Sequence, residues 1–173
     1  SLPTTAATAD VIITGNAAGD QFGIFLTVGD LNADGRNDLA VGANTYSSST
    51  GRVYIFYNDG SIPTTAATAD VIITGETTNN YFGYTLTSGD LNSDGKVDLA
   101  VGAYVYSSST GRAYIFYNDG SIPTTAATAD VIVTGESSSS NFSYGLAIGD
   151  INSDGRVDVI VGAYGNATST GKI

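Results

Sequence analysis

The chain has 173 residues with no Cys, His, Met or Trp, and its 17 acidic and 6 basic residues give a net charge of −11. Without His or Cys there is no disulfide, no zinc, iron or copper site of the usual kind, and no imidazole base or thiol nucleophile; only oxygen ligands remain, which suit hard cations. The negative balance argues against unaided binding of nucleic acid, and no apolar run approaches the ~18 residues that would suggest insertion into a membrane.

In chain order, four short strands are expected first: Ala9 to Gly15 (ADVIITG), Phe22 to Asp30 (FGIFLTVGD), Asn37 to Ala43 (NDLAVGA) and Gly51 to Tyr57 (GRVYIFY). They are rich in Val, Ile, Tyr, Phe and Thr, and Gly, Asn, Asp and Ser clusters bound them. The series then returns with a period of 60 residues: Gly60 to Gly75 and Gly120 to Gly135 differ at one position. Three repeats follow, at about 1–60, 61–120 and 121–173, the last incomplete. No segment carries a 3.6-residue apolar period, so essentially no helix is expected.

GRVYIFY is apolar on both faces, with Val53 and Ile55 pointing one way and Tyr54 and Phe56 the other. Such a strand belongs to a sheet covered on both sides. The expected fold is therefore all-β, built from four-stranded antiparallel sheets stacked face to face. That describes three β-propeller blades, or a linear β stack, within a larger or oligomeric assembly.

Each repeat carries one aspartate-rich nonapeptide. The first offers side-chain oxygens at Asp30, Asn32, Asp34 and Asp38, the second at Asp90, Asn92, Asp94 and Asp98, and the third at Asp150, Asn152, Asp154 and Asp158. A glycine at the sixth position (Gly35, Gly95, Gly155) permits the positive φ that folds such a loop back. The seventh position, Arg36, Lys96 or Arg156, would add its backbone carbonyl. This donor set predicts one calcium ion per loop, three per chain. The loop is not an EF-hand, because the twelfth position holds Val41, Val101 or Val161 where a glutamate would be needed. The alternative is a plain Asp/Asn/Gly hairpin without metal. Against it stand three mutually repelling carboxylates in each loop.

These residues resemble the FG-GAP repeat, the blade unit of the integrin α-subunit propeller and of many bacterial surface proteins. The FG element is Phe22-Gly23 and Phe82-Gly83, with Phe142-Ser143 departing in the third copy; the second element is Gly42-Ala43, Gly102-Ala103 and Gly162-Ala163. The resemblance implies a calcium-binding, extracellular or cell-surface module for adhesion or for binding a protein or glycan, without catalysis. It places the calcium loops between the first and second strands on one face. Gly15 to Gln21 and Asn44 to Thr50 fall on the opposite, partner-binding face. A structural repeat of a large surface protein, or a non-catalytic propeller attached to an enzyme, remains the alternative. Expected partners include further blades of the same chain or other copies of it, but no nucleic acid.

Among the tyrosines, Tyr54, Tyr57, Tyr114 and Tyr117 are expected in inter-blade packing. Tyr46, Tyr104, Tyr106 and Tyr164 follow the Gly-Ala element and are candidates for ligand contact. Asn141-Phe142-Ser143 and Asn166-Ala167-Thr168 are formal glycosylation sequons.

Overall fold

The computed structural model describes residues 5–165 and 170–173. Among the described residues, ten strands form three antiparallel sheets. The first joins β1 (Leu26–Gly29), β2 (Asp38–Ala43), β3 (Arg52–Phe56) and β4 (Val71–Thr74) in that order. The second repeats it with β5 (Thr85–Gly89), β6 (Asp98–Ala103), β7 (Arg112–Phe116) and β8 (Val131–Thr134). The third contains β9 (Phe142–Gly149) and β10 (Asp158–Ala163), and a bridge between Ala163 and Lys172 begins the position of a third strand. These are propeller blades, and each four-stranded blade takes its last strand from across a repeat boundary.

Strand formation depends on a partner as well as on sequence. Val71–Thr74 is a strand because β3 pairs with it from Arg52 to Ile55. The identical residues VIIT at 11–14 have no third strand beside them. They make only a single bridge, Thr14 to Thr65, and Val11 and Ile12 stay half-exposed. The expected strand at Ala9 to Gly15 is therefore not formed. The strand expected from Phe22 starts only at Leu26, because Gln21 and Gly23 take positive φ in the turn before it.

Among the described residues, helical segments are limited to single turns. Three 3-10 turns recur at Ala6–Thr8, Ala66–Thr68 and Ala126–Thr128, and α1 (Tyr46–Ser49) and α2 (Tyr106–Ser109) are one turn each. Ser47 and Ser48, like Ser107 and Ser108, lie in the left-handed region, an unusual conformation for serine. These turns hold blades together. The carbonyls of Ser48 and Ser49 accept hydrogen bonds from the Asn79 and Tyr81 amides at 3.0 and 2.8 Å, and Ser108 and Ser109 accept from Ser139 and Asn141. No helix among the described residues is long and apolar enough to cross a membrane.

The alternation in GRVYIFY is realised as expected. Val53 and Ile55 join Ala40 and Ile73 on one face of the first blade, packed against Leu99, Val101, Tyr114 and Phe116 of the second. Tyr54 and Phe56 face the other way, with Phe22 set edge-on to them at 5.6 and 6.4 Å. Each such side chain contributes about 1.5–3 kcal/mol when fully buried. The inner strands β1, β5 and β9 lie side by side; the Thr27 and Ser88 hydroxyls share a hydrogen bond of 2.8 Å between them.

The FG and Gly-Ala elements meet at each blade junction. A Cβ on Gly42 would collide with the Gly83 carbonyl, and one on Gly51 with the Phe82 carbonyl. Glycine there is the condition for close approach. In the third copy Ser143 replaces the second FG residue at φ +68 and is fully buried. Its hydroxyl accepts from the Ala103 amide at 3.1 Å and donates to the Arg112 carbonyl at 2.7 Å, which explains how the departure is accommodated.

Candidate functional site

The antiparallel order puts the loops at two ends. Residues 30–37 and their copies join the first and second strands at one end, while residues 44–51 and 75–84 lie at the other. At the first end the three loops share one geometry. Asp30 Oδ1 and Asn32 Oδ1 both accept from the Asp34 amide, at 2.9 and 3.0 Å. Asp30 Oδ2 accepts from the Gly35 amide at 2.8 Å and Asp34 Oδ1 from the Arg36 amide at 2.9 Å. The second loop repeats this with Asp90, Asn92, Asp94 and the Lys96 amide, the third with Asp150, Asn152, Asp154 and the Arg156 amide. Gly35, Gly95 and Gly155 have φ of +87°, +84° and +83°, so the sixth position is where the backbone needs glycine.

The ninth position differs. Asp38 is buried, and its two oxygens accept separately from the Leu31 and Asn58 amides, each at 2.8 Å. Asp98 does the same with Leu91 and Asn118. Asp158 is only half-buried and accepts from Ile151 at 3.0 Å. Burial raises the carboxyls of Asp38 and Asp98 above the usual range; their amide donors oppose the shift, and the neighbouring loop carboxylates add to it. The Arg36 and Lys96 side chains fold over the loops to the Asn58 and Asn118 carbonyls, at 3.3 and 3.0 Å.

Among the described residues, no group of three or more acidic side chains is arranged to hold a metal ion. The loop brings together the side chains of its first, third and fifth positions around its own amides, and the ninth is turned to the base of the hairpin. The donor chemistry nonetheless fits a hard cation: every donor is an oxygen, and Asp30 Oδ1 and Asn32 Oδ1 converge on one amide.

The tyrosines separate into three groups. Tyr114 is fully buried between blades, as expected, and Tyr57 packs against the same core, whereas Tyr54 is fully buried on the face of the first blade turned away from the second, beside Phe22. Tyr46 and Tyr106, candidates for ligand contact, instead lie under the guanidinium groups of Arg52 and Arg112, each 3.6 Å from the ring centre. Tyr104 and Tyr164 join Tyr81, Tyr84 and Tyr144 in a cluster that crosses from the second blade to the third, with ring centres 4.4 to 5.7 Å apart. The Tyr84 hydroxyl is pushed up to about 12, first by its hydrogen bond to Tyr144 and then by burial. Tyr84 and Tyr144 were missing from the sequence-based candidates; their signal is recurrence at 60-residue spacing directly after the FG element.

Glu76 pairs with Arg112 at 2.9 Å, both side chains mostly covered, and also hydrogen-bonds Tyr114. The first sequon is closed in the fold: the Asn141 amide donates to the Ser139 carbonyl and the Ser143 hydroxyl is buried. The second, Asn166-Ala167-Thr168, lies outside the described residues.

The model of the FG-GAP-like repeat matches residues 90–161, and that of the FG-GAP repeat matches residues 22–56. The chain belongs to the FG-GAP repeat family. This FG-GAP chain is 37% identical to integrin alpha-IIb of Mus musculus over 164 residues, covering 87% of the chain and 16% of the relative. It is 32% identical to phosphatidylinositol-glycan-specific phospholipase D of Bos taurus over 158 residues, 83% of the chain and 18% of the relative. Integrin alpha-PS2 of Drosophila melanogaster matches at 31% over 151 residues, 82% of the chain and 10% of the relative. The FG-GAP chain thus spans less than a fifth of the curated relatives it matches.

Proposed function

We propose that this FG-GAP segment is an extracellular, calcium-stabilised β-propeller module for adhesion or ligand binding, with no catalysis of its own. The observation that carries the reading is the loop that recurs three times with the same hydrogen bonds, each gathering carboxylate and amide oxygens within a few residues. Asp30, Asn32, Asp34 and Asp38, with the Arg36 carbonyl, would hold one ion. Asp90, Asn92, Asp94 and Asp98 with the Lys96 carbonyl would hold a second, and Asp150, Asn152, Asp154 and Asp158 with the Arg156 carbonyl a third. Bound calcium would supply positive charge among carboxylates that otherwise repel one another. The chain's own part is to fold the loop through its glycine and to anchor it through the ninth-position aspartate.

Further blades are the nearest partners. Leu26 and Val28, on the inner strand of the first blade, are 55% and 62% exposed, whereas Leu86 at the same place in the second blade is covered by its neighbour. Calorimetric titration of the chelator-stripped chain tests the calcium reading. Close to three ions per chain are expected, and none would overturn it. A second reading, a non-catalytic propeller attached to an enzyme, is favoured by the likeness to a phospholipase D. A reproducible hydrolytic activity of this segment, lost in Asp94→Ala with the fold intact, would contradict both.

A further inference from the structure

We propose that the end of the second blade opposite the aspartate loops binds a neutral carbohydrate, an inference that rests on the binding-module reading. The loops 76–80 and 105–108 enclose an open cleft of about 480 Å3 there. Amide and hydroxyl groups line it alongside Val105 and Tyr106: Thr78, Asn79, Ser107 and Ser108 face it, and among the described residues none of their side chains has a hydrogen-bond partner. Each can both donate and accept, which matches a sugar hydroxyl better than a charged group.

The charges in the cleft are already committed. Arg112 donates to Glu76 at 2.9 Å and to the Thr134 hydroxyl at 2.9 Å, and it covers Tyr106. No unpaired cation is therefore offered to an anionic ligand, and the chain's net charge of −11 opposes one further.

Beside this polar cleft stands the tyrosine cluster. Tyr81 follows Asn80 directly, and its ring lies 5.7 Å from Tyr104, which directly precedes Val105. Tyr144 and Tyr164 extend the cluster and are 40% and 53% exposed. Aromatic rings that start one residue beyond this lining, at Tyr81 and at Tyr104, suit a ligand that is apolar on its C–H face and polar at its rim. The first blade lacks the arrangement: Gln21, Ile24 and Asn44 occupy the places of Tyr81, Tyr84 and Tyr104. In repeats otherwise nearly identical, this is where the copies diverge.

Affinity electrophoresis of the 173-residue chain in calcium, through gels containing dextran, mannan or galactan, tests the assignment, with heparin as the anionic counterpart. Retardation by at least one neutral polysaccharide and none by heparin is expected. Tyr104→Ala, which removes the ring adjoining Val105 of the lining, should weaken it about tenfold. Asn79→Gly, which keeps the backbone at φ +60 unstrained, should weaken it comparably. Retardation unchanged in both variants, or preference for heparin, overturns the site. A sample that binds calcium by calorimetry yet is not retarded overturns this inference alone; one that does neither overturns the module reading as well.

Discussion

Replacing Asp98 by alanine should cost far more than the same change at Asp158, although the two occupy identical places in the repeat. Asp98 is fully buried and gives one oxygen each to the Leu91 and Asn118 amides at 2.8 Å. Alanine would leave both donors without a partner, at about 1–3 kcal/mol for a buried group and less for the partly exposed Leu91. The raised pKa of Asp98 shows that its charge disfavours the fold above the ordinary carboxylate range, so removing it returns part of that cost. The net expectation is about 3 kcal/mol, or about 6–12 °C in melting temperature for a chain of this size. Asp158 serves one amide, that of the exposed Ile151, at 3.0 Å, so the loss there should be about 0.5–1 kcal/mol. The measurement is thermal unfolding by circular dichroism in excess chelator, where calcium contributes to neither variant. Equal losses, or a loss below about 1 kcal/mol for Asp98→Ala, would refute the assignment of Asp98 as the hairpin's anchor.

Gly42→Ala should destabilise by at least about 3 kcal/mol because its Cβ meets the Gly83 carbonyl, while Gly162→Ala, with nothing nearer than 3.7 Å, should stay within about 0.5 kcal/mol; chemical denaturation distinguishes them. Glu76→Gln removes the charge facing Arg112 and should cost about 1–2 kcal/mol, with a double-mutant cycle against Arg112→Met showing coupling near 1 kcal/mol; coupling near zero would mean the pair is incidental. The Tyr84 hydroxyl is pushed up to about 12 from 10.0, so its contribution is full below pH 10 and is lost as pH rises through about 12; because burial also raises Tyr57, Tyr104 and Tyr114, ultraviolet titration of Tyr84→Phe should show one late-ionising tyrosine fewer than the parent chain, and an unchanged number would contradict the Tyr84–Tyr144 hydrogen bond. With roughly 0.1 mM affinity and about 2 mM calcium, each loop should add about 1.8 kcal/mol, so chelation should lower the melting temperature by many degrees; an unchanged melt would make the loops ordinary turns.

The strand register within a blade was legible because burial on both faces of GRVYIFY leaves few alternatives, and the 60-residue period repeats that constraint. The segment at 11–14 was not legible, since the same four residues form a strand or remain nearly unpaired according to what lies beside them. The left-handed serine turns escaped because serine carries no strong preference for that region; the fit of one blade against the next imposes it. Of the candidate loops, spacing showed which residues share a hairpin but not that Asp38 and Asp98 turn to its base, which depends on amides 20 residues downstream. The tyrosine cluster needs the stagger of neighbouring inner strands, which a single repeat does not display.

The offset between repeat and blade has a mechanical consequence. β4 closes the first sheet, yet it lies in the same repeat as β5, β6 and β7 of the second, and β8 relates the second sheet to the third in the same way. Tension along the chain is therefore borne across junctions and not within isolated modules. Stripping β4 from β3 pulls directly on the residues leading into β5, so the second blade is disturbed as the first is opened. Such a chain is interlocked like links and should yield as one unit under load, in contrast to beads on a string that extend one after another.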